Sequence, residues 1–210
     1  MSRETEIKNL LISNAIQLVA EGGFEKATTK ELTHYKETTD FKMNEVYIYR
    51  LFGGKENLYE AAFITLDNEL FEALRAASRK AEQYEGTPKE KLYTMFLEAW
   101  SFVLKNKERC RCYVRYYYSV YFKDKSLEAH NKMFERIVCR MAPIFKEEAD
   151  VSAIMHSVFT AFLDFAIRVH KEELEDNEIN RPHVFNVLYC MMMSYLKSEL
   201  VNESISAQIA

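Results

Sequence analysis

From Lys55 to Tyr84 the chain reads KENLYEAAFITLDNELFEALRAASRKAEQY, with Leu58, Ala62, Leu66, Leu70 and Leu74 four residues apart and no glycine or proline between them. That period lines one stripe of a helix with apolar side chains and gives a strand no consistent face. The same pattern recurs along most of the chain, and only 5 Gly and 3 Pro interrupt 210 residues. Long helices joined by short connections follow, and the expected class is all-α. In ETEIKNLLISNAIQLVAEGG, Ile7, Leu10, Leu11, Ala15, Leu18 and Val19 share a face. Gly23 is placed to stop that helix in a left-handed conformation, with Phe24 folding back on its last turn. Thr28 or Thr29 then caps a second helix through KELTHY, and Asn44 is a candidate cap for a third.

In EGTPKEKL, Thr87 is a cap, Pro88 the first helical residue and Glu90 the partner in a capping box. Beyond it, helices are expected from Pro88 to about Leu104, Arg109 to about Phe122, Leu127 to about Lys146, Val151 to about Leu174 and Pro182 to about Asn202. Pro143 should kink or end the third of these. The domain reading is a small three-helix unit over residues 1–54 and a larger helical bundle over 55–210.

Several function classes drop out. A formal charge of -4 and a pI near 5.8 give no global attraction to polyanions. No apolar run reaches the roughly 18 to 20 residues of a bilayer span, and MSRETEIKNL has no signal-peptide core, so a cytoplasmic protein with no membrane partner is expected. Cys110, Cys112, Cys139 and Cys190 then sit in a reducing compartment without structural disulfides. The arginines around Cys110-Arg-Cys112 are of the kind that lower a thiol pKa. Residues two apart on a helix nevertheless point about 200 degrees from each other and cannot clamp one ion. No phosphate-binding glycine loop, nucleophile elbow or carboxylate pair with metal-ligand partners is present, so neither catalysis nor a cofactor or metal is expected.

Three short helices with a tight turn and a cap on the last are the parts of a helix-turn-helix, in which one helix enters the major groove. The run GFEKATT followed by NEVYIYRLFGGKENL resembles the signature of the TetR family of transcriptional repressors. Gly23, Phe24, Thr28 and Thr29 match its first half. Asn44 stands for the serine cap, Ile48 and Tyr49 for Leu-Tyr, and Phe52, Lys55 and Leu58 for the Phe, Lys and Leu that follow. The likeness covers about the first 60 residues. It implies that Tyr49 and Lys55 hold the DNA backbone, that Thr28, Thr29 or Lys30 adds phosphate contacts, and that Glu45 and Tyr47 face bases beside Arg50. Ile48, Leu51 and Phe52 are the inward face, and Gly53-Gly54 turns the chain so that Lys55 points the same way as Tyr49.

The departures from the pattern are physical ones. About five extra residues lie in KELTHYKETTDFKM, Val46 replaces a glycine, and Tyr47 replaces a threonine. Residues 1–60 carry eight Lys/Arg against ten Asp/Glu. Non-specific DNA affinity should therefore be weak and depend on Lys26, Lys30, Lys42, Arg50 and Lys55.

The resemblance makes the remainder an effector-binding and dimerisation domain. The segments VSAIMHSVFTAFLDFAIRVH and PHVFNVLYCMMMSYLKSEL are apolar nearly all round, which suits a four-helix interface between two copies. Burial of both segments within one monomer is the plainer alternative. Asp164 and Arg168 pair at i,i+4, either on a rim or buried. Tyr113, Tyr117 and Tyr121, with Phe96, Trp100, Met133, Phe134 and Phe159, are candidates for a pocket taking a flat or cationic small molecule, ordinary core packing being the alternative for each. The function expected is a one-component regulator, a homodimer on a palindromic DNA operator released by an effector. The competing class is a helical dimeric binding module without DNA affinity.

Overall fold

The computed structural model describes residues 2–35 and 43–200. Their elements are α1 (Arg3–Lys26), α2 (Thr29–His34), α3 (Val46–Phe52), α4 (Lys55–Gln83), α5 (Pro88–Lys105), α6 (Lys107–Tyr117), α7 (Asp124–Met141), a 3-10 turn (Ala142–Ile144), α8 (Val151–His170) and α9 (Asn180–Met193). The chain is all-α, as its periodicity requires. It divides into two compact units, residues 1–69 with 106–130 and residues 70–105 with 131–210, and the cut falls inside α4. This is a division by packing. The boundary expected at 54/55 is a division by function and is a separate question.

The first unit is organised by α1. Ser2 caps it by accepting from the Thr5 N–H at 3.2 Å. Ile7, Leu11, Ala15, Leu18 and Val19 are buried as the face predicts, while Leu10 is only half-buried. Asn14 is also buried, and its amide donates to the Leu32 carbonyl at 2.9 Å, fastening α1 to α2. Gly23 adopts φ 78 and breaks the helical path. The Phe24 ring packs against Tyr121 (centroids 4.7 Å) and Tyr59 (5.1 Å). Along α1 runs α6, whose Arg115 donates to the Val19 carbonyl at 2.7 Å.

In the second unit the capping box at Thr87 forms in full. The Thr87 N–H donates to the Glu90 carboxylate at 2.8 Å and the Glu90 N–H to the Thr87 hydroxyl at 3.3 Å. Pro143 ends α7 rather than kinking it, and the 3-10 turn follows. Four expected ends were too long. α6 stops at Tyr117, α7 at Met141, α8 at His170 and α9 at Met193; the expected end of α9 at Asn202 lies outside the described residues. The reason at α9 is non-local. Lys146 N–H donates to the Tyr195 carbonyl at 2.9 Å and Lys197 N–H to the Ile144 carbonyl at 3.1 Å, a bridge that buries Phe145 and Leu196.

One expectation about apolar length is corrected. α8 is long and apolar enough to cross a membrane by length and composition alone. Asp164 and Arg168 are the charged residues within its second half. Its Met155, Phe159, Phe162, Leu163 and Ala166 are buried in the bundle, while Asp164 and Arg168 are exposed.

Candidate functional site

α3 is seven residues long and one-sided. Ile48 is wholly buried, Leu51 and Phe52 are half-buried, and Val46 and Tyr49 are 65% and 59% exposed on the other side. Its start differs from expectation. Asn44 is not the cap; Glu45 occupies that position in helical geometry with no side-chain cap bond, and the Asn44 carbonyl accepts from the Tyr47 N–H at 3.1 Å. The Glu45 carboxylate accepts from the Thr29 hydroxyl at 2.6 Å, so one cap tie is exchanged for a strap between α2 and α3. Thr28, not Thr29, caps α2, accepting from the Glu31 N–H at 3.2 Å. At the far end Gly53 takes φ 78 and donates to the Tyr49 carbonyl at 2.9 Å, while Asn57 donates to the Phe52 carbonyl at 2.7 Å. Tyr59 donates to the Ala27 carbonyl and holds α4 against the turn before α2.

The cations around α3 are arranged on rings. Arg50 lies 4.8 Å from the Tyr47 ring centroid, Lys55 5.9 Å from that of Tyr59, and Lys8 5.8 Å from that of Phe52. Such contacts hold a cation loosely enough to release it to a stronger anion. Lys26 is paired with Glu21 at 2.7 Å, and that hydrogen bond holds its pKa above the usual value. Lys30 is exposed on α2. Lys42 lies outside the described residues.

The residues proposed for an effector pocket fall into separate groups. In the first unit, Tyr113 donates to Asp67 at 3.0 Å, and His130 meets the same carboxylate at 2.9 Å, all three side chains being buried. Tyr117 packs on Phe122 (4.7 Å) and His130 (5.3 Å), and Tyr121 on Phe24 and Tyr59. Desolvation raises the hydroxyl pKa of Tyr113 well above the usual value and that of Tyr117 to about 12. These rings are packing partners. In the second unit Phe96, Phe134 and Phe159 line one cavity of about 110 Å³, and Met133 lines an adjoining one of about 100 Å³. Trp100 lies behind, stacked on Phe96 at 5.4 Å, its indole N–H donating to Asp176 at 2.9 Å. No tyrosine lines either of these two cavities.

No family model and no curated protein matches the chain. Solved structures do. A TetR family transcription regulator from Marinobacter aquaeolei VT8 aligns with a TM-score of 0.69 at 12% identity, over 90% of this chain and 96% of that one. A putative TetR family regulator from Shewanella sp. PV-4 gives 0.68 at 13% identity, over 91% and 98%. Another putative TetR family regulator, from Vibrio parahaemolyticus, gives 0.65 at 19% identity, over 91% and 99%. The chain has the TetR-family fold.

Within the TetR fold, the motif residues Ile48, Tyr49, Phe52, Lys55 and Leu58 lie on α3 and the start of α4: Ile48 and Leu58 buried, Tyr49 exposed, Lys55 opening α4. The Cys110-Arg-Cys112 idea ends differently. Both thiols are buried, and desolvation pushes each pKa up to about 12 against the smaller downward pull of nearby arginines. What sequence reading missed was the Thr29–Glu45 strap and the Asp67–Tyr113–His130 cluster. Their signal was a buried charge, Asp67, inside a leucine stripe.

Proposed function

We propose that the protein is a TetR-like one-component repressor, a homodimer that inserts α3 of each copy into a palindromic operator and leaves it when a small molecule occupies the second unit. The observation carrying this is α3 itself: a short helix locked by buried Ile48 and the Gly53 turn, with Val46, Tyr49 and Arg50 facing out. An exposed aromatic and aliphatic face so firmly held suits groove contact, with Tyr49 and Lys55 on phosphates and Tyr47 and Arg50 nearer bases. Thr28, which caps α2, and Lys30 within it are exposed and face phosphates in this reading. Asn44 and Glu45 lie at the leading edge, where Glu45 reads a cytosine amino group only after leaving Thr29. Two copies of α8 and α9 supply the pairing, through exposed Val187, Cys190 and Met193. α4 is the continuous link, opening with Lys55 and lining the cavity with Leu74.

Selection from random duplex DNA tests the reading, and enrichment of a palindrome is the expected outcome. On that duplex, Lys55→Ala should weaken binding and reduce the salt slope by about one. An unchanged slope removes Lys55 from the phosphate contacts. The carboxylate strapped at the front of α3 favours a second reading, a dimeric binding module without DNA affinity. A flat selection at low salt would establish that alternative.

A further inference from the structure

We infer that the cavity of the second unit takes a single-chain carboxylate, a long alkyl tail ending in one anionic head. This deepens the effector reading and rests on it for any consequence at DNA; the binding stands on the cavity. All fifteen side chains lining the larger chamber are apolar. A ligand polar along its length would surrender its hydrogen bonds to water with none in return. Four of the lining residues are Met95, Met141, Met155 and Met192, whose unbranched chains re-pack around a flexible guest. Leu74, Met95, Ile137 and Met141 are shared with the adjoining chamber, which Arg75, Arg136 and Arg140 also line.

Two of these guanidiniums are already answered, Arg75 by Glu72 at 3.3 Å and Arg140 by Glu82. Arg136 rests on the Met133 sulfur at 3.5 Å and has no carboxylate within ion-pair reach among the described residues. One unanswered positive charge beside an apolar chamber selects a guest with one negative end. An alkyl cation would be repelled there. An apolar cavity of roughly 150 Å³ holds a benzene ring, so the resting chamber of about 110 Å³ admits a short stretch of chain and methionine movement supplies the rest. Phe96 lines the chamber and stacks on Trp100, the only tryptophan, which makes indole fluorescence a direct readout.

The test titrates the full chain with straight-chain carboxylates, matching primary alcohols and alkyl ammonium ions, each below its micelle concentration. Affinity should rise about fourfold per added methylene until the tail fills the space. Arg136→Gln, on the surface, should weaken carboxylates about tenfold and leave alcohols unchanged. Met155→Phe and, separately, Ala99→Leu should each shorten the longest chain accepted. Affinity indifferent to chain length, alcohols equal to carboxylates, or tighter binding of ammonium ions would overturn the inference. A chain that binds carboxylates but selects no DNA keeps this site and loses the repressor reading. A chain that selects an operator yet ignores every alkyl guest does the reverse.

Discussion

Gly53 shows how much one residue decides. Its φ of 78 lies where an L side chain is strained, and a Cβ there would stand 3.3 Å from the Asn57 amide. Gly53→Ala should therefore cost about 1 kcal/mol in denaturant unfolding. It should lower operator affinity by more than stability alone explains, because the turn aims both Tyr49 and Lys55. Asp176 is the second case. Hydrogen bonds from Arg181, then Trp100, hold its pKa below the usual value of 3.8. A depressed carboxylate contributes stability above its unfolded pKa and loses it as pH falls through the folded one. Trp100 fluorescence should thus be flat from neutral pH to roughly pH 4 and change only below it. A transition near pH 6 would assign the fluorescence change to a group other than Asp176. Asp176 is partly exposed, so the effect on overall stability should be small.

Among elements, α5 and α9 make a contrast. The start of α5 was legible to the residue because it is chemically local: Thr87 and Glu90 satisfy each other across Pro88 within four positions. Thr87→Ala should cost about 1 kcal/mol, measurable by thermal unfolding, and should leave DNA affinity untouched. α9 was overextended because nothing in its own sequence ends it. Its stop is set by backbone pairing with the stretch after Pro143, some fifty residues earlier in the chain. α3 stands between these. Its apolar face was readable, but Asn44 proved a poorer guide than its type suggested once Glu45 was drawn to Thr29.

At the scale of the whole molecule, the proposal depends on pairing. Val187 is 49% and Met193 43% exposed on α9, more apolar surface than a lone chain needs there. Val187→Glu should turn a dimer into a monomer by light scattering and abolish operator binding through loss of the second half-site. Alkylation supplies an independent check. Cys139 and Cys190 are exposed, while Cys110 and Cys112 are buried with pKa values near 12. Mass spectrometry should find Cys139 always modified, Cys190 modified only in dilute protein, and the other two untouched. Cys190 reacting equally at every concentration would place the interface elsewhere.

The sequence by itself determined that this chain is helical, that α5 begins at Pro88 behind its Thr87 cap, and that the short helix ahead of Gly53 carries residues resembling the TetR signature. Those features are written in neighbours three or four residues apart. Tertiary structure alone decided that α6 joins the first unit along α1, that the tyrosines of α6 pack on other rings there, and that apolar side chains from five helices line one chamber. A ring reads the same in sequence whether it meets another ring or a void. Only the fold, by bringing distant helices together, assigns it one or the other.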